Sequence, residues 1–382
     1  LIYCNTIDDT IECARQMEAY LNITPSANLN AAADEIATFI HKDYYLVDFI
    51  RKGVGFHFGK LPQRVRDIVE RLYENGDINY LFCTSTLLEG VNLPAQNIFI
   101  LNNQIGNKNL QSIDFWNLAG RAGRLAKELC GNVICIRWIS KDGRWNTSDS
   151  LKIIKNKQLE EISTDVLTGK ENFYKNIIRA AQGKPFTRKN VSENQRRVYN
   201  AFSNVLCAHF FDDQPSLLRN EMQKKEPEGV KILTDINKSI SIPSSIVSRF
   251  PLIKVHYQNE IWETTSLFTP PLADPTYDNC LKMLDILFEL YHWDLEESGG
   301  RNPLFPKGNK NFIKHYASLM TDWMNSKSIN EIINQTLYNY RGKDIAVSYL
   351  PTGQMDMVRF NPSNKRHINI VINKTISEID SI

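Results

Sequence analysis

Two arginines three residues apart, Arg121 and Arg124, each stand directly after a glycine in the run NLAGRAGR, Asn117 to Arg124. Glycine has no Cβ and lets another backbone or a ligand approach closely. Arginine carries a permanent charge on a rigid planar fork that matches phosphate oxygens. Together they have the chemistry of an arginine finger, a cation that stabilises charge developing on a transferring phosphoryl group. The plain alternative is two surface arginines on a helix. The pair reads as lying at the start or within the first turns of one. A helix N-terminus disfavours cations, so a surface placement there gives them no structural reason.

A second set lies upstream in CTSTLLEGVNLPA, Cys83 to Ala95. Thr84, Ser85 and Thr86 offer hydroxyls just past the end of an apolar run, and the alternative for them is ordinary capping of a short helix. Gly59 and Lys60 open a loop whose ammonium is able to reach a backbone phosphate. His57, inside an apolar strand pattern, reads as a packing histidine. Trp262, Trp293 and Trp323 read as core or interface anchors. Lys307, Lys310 and Lys314 read as a solvated face.

These residues need elements to position them. Apolar runs at 1–5, 54–58, 78–83, 97–101 and 132–139 predict strands. Helical spacing covers 8–21, with Asp8 or Asp9 as N-cap, then 31–50, 61–73 and 114–126. In the third of these Val65, Ile68, Val69 and Leu72 share one face. Strands that are near-continuously apolar and alternate with helices indicate a parallel sheet covered on both faces. Ligands of such sheets bind at the carboxyl ends of the strands. The hydroxyl run follows a strand there, and the arginine run is expected at the same edge, beginning a helix.

After residue 145 the pattern changes. Helices are predicted over 151–167, 173–182, 191–211, 277–293, 312–324, 329–340 and 367–382. The stretch 224–243 is polar and broken by Pro227 and Gly229, 246–262 fits neither period clearly, and 269–275 and 296–310 read as loops. The expected organisation is an α/β lobe over 1–145 and a mainly α-helical region over 146–382.

The chain has 382 residues, 42% hydrophobic and 23% charged, which is ordinary for a globular protein of two or three domains. A net charge of +2 excludes a global polyanion-attracting field, so any nucleic-acid surface must be a local patch. None of the seven cysteines forms a CxxC pair, which argues against a zinc site or a thioredoxin-type motif. No signal peptide and no run of about 18 apolar residues is present, so a cytoplasmic protein with no membrane partner is expected. Both termini read as cut: the chain starts inside a strand pattern without an initiator methionine and ends inside a helical one.

Four of these stretches resemble, in order, the motifs of one family. LIYCNT (Leu1 to Thr6) is similar to motif IV, and GVGFHFGKLPQRVRDIVE (Gly53 to Glu70) to the segment before motif V. CTSTLLEGVNLPA resembles motif V and NLAGRAGR motif VI of superfamily-two helicases of the Ski-like DExH group. The resemblance covers residues 1 to about 140. It implies the second RecA-like lobe of an ATP-dependent helicase or translocase, followed by a helical domain. Arg121 and Arg124 then reach the ATP phosphates as catalytic residues. Gly90, Asn92, Asn117 and Gly120 line the ATP cleft, and Thr84, Ser85 and Lys60 contact nucleic-acid phosphates. Glu89 is a candidate partner for a motif VI arginine. The family commonly has Gln where this chain has Asn117, which puts that residue's role in question.

The resemblance also implies ATP and Mg²⁺ as cofactors, and DNA or RNA and a first RecA-like lobe as partners. No G-x-x-x-x-G-K-[ST] loop and no DExH run stands in the chain. Those belong to a first lobe, and the 382 residues alone are expected to have no ATPase activity. A compact Ski-like motor with a divergent helical tail also resembles helicase subunits of antiphage defence systems of the Hachiman type, which pair a helicase with a nuclease. The other class of reading is a non-catalytic scaffold built on a degenerate motor lobe. Intact Arg121 and Arg124 speak against it and Asn117 for it.

Overall fold

A computed structural model describes residues 1–85, 93, 95–106, 108–123, 130–137, 145, 152, 164–169, 172–184, 186, 191–250, 253–264, 270–297, 304–349 and 354–380. The chain packs into two compact units, Leu1–Glu160 with Ser326–Ile382, and Glu161–Asn325. A simple cut after residue 145 is therefore not how the chain packs, because the C-terminal segment joins the unit that holds the first residues.

The first unit begins with β1 (Ile2–Tyr3), α1 (Ile7–Tyr20), α2 (Ala27–Phe39), α3 (Tyr45–Arg51), β2 (Val54–His57), α4 (Gln63–Glu74) and β3 (Tyr80–Cys83). It continues with β4 (Asn97–Ile100), the short hairpin β5 (Gln104–Ile105) and β6 (Lys108–Asn109), α5 (Ser112–Ala119) and β7 (Asn132–Cys135). Five strands form one sheet in the order β2-β3-β1-β4-β7. Every pairing in it is parallel. The parallel α/β lobe expected from the strand pattern is thus present, as the resemblance to a RecA-like lobe implied.

The register aligns His57 and Tyr3 with Cys83, Tyr3 with Ile100, and Ile100 with Cys135. All five strands therefore end at one edge. β2 and β3 are almost wholly buried, as their unbroken apolar sequences require. The predicted face of α4 is the buried one: Val65, Ile68, Val69 and Leu72.

Local chemistry moves several predicted boundaries. Thr6, not Asp8 or Asp9, caps α1; its hydroxyl accepts from the Asp9 amide at 3.0 Å. The single helix expected over 31–50 is two. α2 starts after the Ser26 cap, and the chain turns at His41–Tyr44, where the His41 ring nitrogen accepts the Asp43 amide at 3.1 Å.

The segment Ser326–Ile382 contributes the helices Ile329–Asn339 and Lys365–Ile379 and an antiparallel hairpin, β8 (Asp344–Tyr349) and β9 (Gln354–Arg359). The hairpin was not predicted. Its signal is two-residue alternation, with Ile345 and Val347 buried and Ala346 exposed between them. Asn369, 2% exposed, ties this segment to the lobe. Its side chain accepts from the Tyr45 amide at 2.7 Å and donates to the Asp43 carbonyl at 2.9 Å.

The second unit is helical in every element described, from Asp165–Thr168 to Ile313–Met324. The polar stretch 224–243 holds a helix, Gly229–Ser239, where a break was expected. Gly229 starts it, packed closely on two side chains: a Cβ there would lie 2.5 Å from Ile178 Cδ1 and 2.9 Å from Met222 Sδ. The ambiguous 246–262 resolves into the helices Ser244–Val247 and Val255–Thr264. One carboxylate organises part of this unit. Glu296 accepts from Lys254 at 2.6 Å and from Tyr257 at 3.3 Å, and it pairs with Arg196.

Candidate nucleotide and nucleic-acid edge of the first unit

At the carboxyl edge of the sheet the parallel ladders continue past the strands. Past β3, the Thr84 amide donates to the His57 carbonyl at 3.3 Å, and the Cys4 amide donates to the Cys83 carbonyl at 2.8 Å. Thr84 is 8% exposed, and Ser85 is half-buried beside it. Both sit past a strand end, where the sequence placed them. Thr86, Glu89, Gly90, Asn92 and Arg124 lie outside the described residues.

The arginine run is held to the end of the motif V stretch. The Ala95 amide donates to the Arg121 carbonyl at 3.2 Å, and the Gly123 amide donates to the Ala95 carbonyl at 3.1 Å. This parallel bridge, Ala95 to Ala122, latches the two segments together. Gly123 adopts φ +65°, and a Cβ on it would lie 2.3 Å from the Gly131 amide nitrogen. A Cβ on Gly131 would meet the Gly123 nitrogen at the same distance. The two glycines let two backbones touch, which is the close approach only glycine permits. Sequence reasoning identified Gly120 and the arginines but missed Ala95 and Gly131. A lone Gly131 ahead of a strand was the only signal.

One expectation is corrected here. Within the described residues, the helix expected over 114–126 stops at Ala119 and Arg121 lies past its end. α5 ends at Ala119, Gly120 closes it, and the Arg121 amide donates to the Leu118 carbonyl at 3.1 Å. Arg121 follows the C-terminal end of a helix, where a cation is favoured by about 0.3–1 kcal/mol. The electrostatic argument against a structural role is therefore removed for Arg121. What singles Arg121 out instead is its burial, 7% exposed, beside the strand ends. Burial pushes the neighbouring Cys83 thiol up to about 12, and the Arg121 guanidinium acts against that rise. The arginine's charge thus lies within electrostatic range of the residue before Thr84.

Asn117 and Gly120 are exposed, three residues apart on the last turn of α5 just before Arg121. Lys60 is exposed, and its ammonium donates to the Ser377 hydroxyl of the C-terminal helix at 2.7 Å. His57 is 1% exposed, and its Nε2 lies 2.8 Å from Glu70 Oε1. Burial holds its pKa below the ordinary histidine value, as suits a packing residue.

The groups gathered at this edge are hydroxyls, backbone amides and a guanidinium. That donor set fits phosphate oxygens. It does not fit a divalent cation, which takes carboxylate and carbonyl oxygens. Among the described residues no cluster of three His, Cys, Asp or Glu is placed to hold a metal.

Residues 1–126 match the helicase conserved C-terminal domain family. That stretch is similar to the C-terminal portion of superfamily-two DExH helicases. The helicase lobe has curated relatives. Anti-bacteriophage protein B of Escherichia coli (strain K12) is 30% identical over 142 residues, 37% of this chain and 19% of that protein. The Hachiman protein HamB of Bacillus cereus is 33% identical over 94 residues, 24% of this chain and 8% of that protein. The ATP-dependent DNA helicase Hel308 of Methanococcus vannielii is 28% identical over 152 residues, 37% of this chain and 20% of that protein. The matches thus span a fifth or less of the length of these relatives. No described helix of this chain is long and apolar enough to cross a membrane.

Proposed function

We propose that this chain is the second-lobe half of an ATP-dependent nucleic-acid motor. Arg121 and Arg124 serve as its arginine fingers, Asn117, Gly120, Gly90 and Asn92 face the nucleotide, and Thr84, Ser85 and Lys60 face the phosphate backbone of DNA or RNA. The observation that carries the reading is the latch between Ala95 and Arg121–Gly123 at the carboxyl edge of the sheet. It fastens the backbone that carries the buried Arg121 side chain to the end of the motif V stretch, which supports the reading. ATP supplies the transferring phosphoryl group, and Mg²⁺ is held mainly by carboxylates of a first lobe. The arginines stabilise charge in the transition state, and the hydroxyls and amides hold phosphates, so the track is recognised by shape and charge rather than by base sequence.

The names of two relatives, anti-bacteriophage protein B and the Hachiman protein HamB, support a role in antiphage defence. A nuclease subunit is the partner proposed with that role.

The test measures ATP hydrolysis by the full-length parent protein, alone and with single-stranded DNA, single-stranded RNA and duplexes. Arg124→Ala is run alongside. Stimulated turnover that falls by roughly 10³-fold or more in the variant is the expected result, and the best stimulator names the track. Turnover that is absent, or unchanged by Arg124→Ala, sinks the arginine-finger reading and moves the scaffold reading ahead.

A further inference from the structure

A group of cations at the base of the β8–β9 hairpin has no role in the site above. Arg341 and Lys343 flank the turn between the helix Ile329–Asn339 and β8, and both are exposed. Neither forms an ion pair with an acid among the described residues. Instead, each lies over a tyrosine ring. The Arg341 guanidinium is 5.2 Å from the centre of Tyr338, and the Lys343 ammonium is 5.9 Å from that of Tyr340. A second ammonium, Lys374, is 5.3 Å from the Tyr340 ring centre and donates to its hydroxyl at 2.6 Å. The Arg359 guanidinium completes the group, 3.5 Å from where a Cβ on Gly342 would stand.

Four cations are thus held around one turn. Two acids oppose them: Asp344 lies 3.6 Å from Arg359, and Glu378 lies 3.7 Å from Lys374. The local excess of positive charge contrasts with a chain whose net charge is only +2. Burial in a core does not account for it, since Tyr338 is 63% exposed and all four cationic residues are exposed. Interleaved cations and an exposed aromatic ring form the surface that single-stranded nucleic acid recognises: phosphates on the cations, a base on the ring.

We infer that Arg341, Lys343, Arg359 and Lys374, with the Tyr338 ring, form a second nucleic-acid contact on the first unit, outside the helicase motifs. It takes the phosphate backbone of a single strand and stacks one base. This inference rests on the proposed function only for the identity of the polyanion.

The test uses the full 382-residue chain and a fluorescein-labelled 20-nucleotide single strand, DNA and RNA in turn, with anisotropy read from about 0.05 to 0.4 M salt. Each phosphate contact on a single strand contributes about 0.7 to the slope of log affinity against log salt, so Arg341→Ala/Lys343→Ala lowers the slope by about 1.4. Extrapolated from 1 M, that slope change is a loss of about 10-fold at 0.2 M salt. Tyr338→Ala weakens binding by at least about fivefold with the slope unchanged, as loss of stacking requires. Arg341→Lys/Lys343→Arg restores the slope. The altered side chains are exposed, and an unchanged melting temperature confirms folding.

An affinity and slope equal to wild type for both strands overturn the inference and leave the patch to an acidic protein partner. If Thr84→Ala weakens binding while the Arg341/Lys343 variant does not, the motor reading stands and this one falls. A reduced slope in the double variant, with a parent protein that hydrolyses no ATP, is the reverse outcome. A chain that binds neither strand overturns this inference as well.

Discussion

Gly123 is the most exacting position at the carboxyl edge, and its replacement by alanine separates two costs. The first is conformational. Gly123 sits at φ +65°, where a Cβ costs about 1–2 kcal/mol. The second is steric. The new Cβ would stand 2.3 Å from the Gly131 amide nitrogen and 2.5 Å from the Cys130 carbonyl carbon. Both obstacles are backbone, so relief requires one strand of the contact to move, and overpacking of this kind costs about 1–3 kcal/mol. The sum is about 2–5 kcal/mol, which for a unit of this size corresponds to a fall of roughly 5–20 °C in Tm. Gly76→Ala is the control. Gly76 has φ +79° and nothing within 4 Å of its would-be Cβ, so it reports the conformational cost alone. Calorimetry of wild type, Gly123→Ala and Gly76→Ala gives the steric cost by difference. A Gly123→Ala protein no less stable than Gly76→Ala refutes the reasoning: the two backbones would then not be in contact, and the latch would not fix Arg121.

Three further outcomes follow from buried polar groups. Glu296→Ala strips the acid from Lys254, whose side chain is 8% exposed, and from Arg196; urea unfolding is expected to show a loss of about 3–5 kcal/mol, and Glu296→Gln a smaller one. Asn369→Ala leaves the Tyr45 amide and the Asp43 carbonyl without partners, costing about 2–4 kcal/mol, with faster hydrogen exchange at Tyr45 as the local readout. Burial depresses the pKa of His57 in the folded state below its ordinary 6.5. The unfolded chain therefore binds the proton first, and stability complete above about 6.5 is lost as pH falls below it. His57→Gln, which retains a donor towards Glu70, is expected to flatten the fall in Tm between pH 7.5 and 5.5. An unchanged slope removes His57 from the account.

The sequence by itself determined the sheet and the edge that carries the candidate residues. Buried parallel strands are mostly apolar, so VGFH, YLFC and NIFI announced themselves, and the Thr84 and Arg121 runs stood beside their ends. It also announced the family, because phosphate chemistry needs glycine and arginine at short, regular spacing. Tertiary structure decided what depends on partners distant in the chain. Arg121 follows a helix instead of beginning one, because Ala95 offers its segment a backbone bridge that no local signal encodes. Gly131 matters only once Gly123 is against it. Helix Gly229–Ser239 forms behind Pro227 and opens on a glycine that packs against Ile178 and Met222, neighbours far off in the sequence or on another helix. The C-terminal segment joins the lobe through Asn369 and loop 43–45, more than 300 residues apart along the chain. Periodicity reports which face of an element is buried. It carries no record of which distant element does the burying, and at these positions that choice set the geometry.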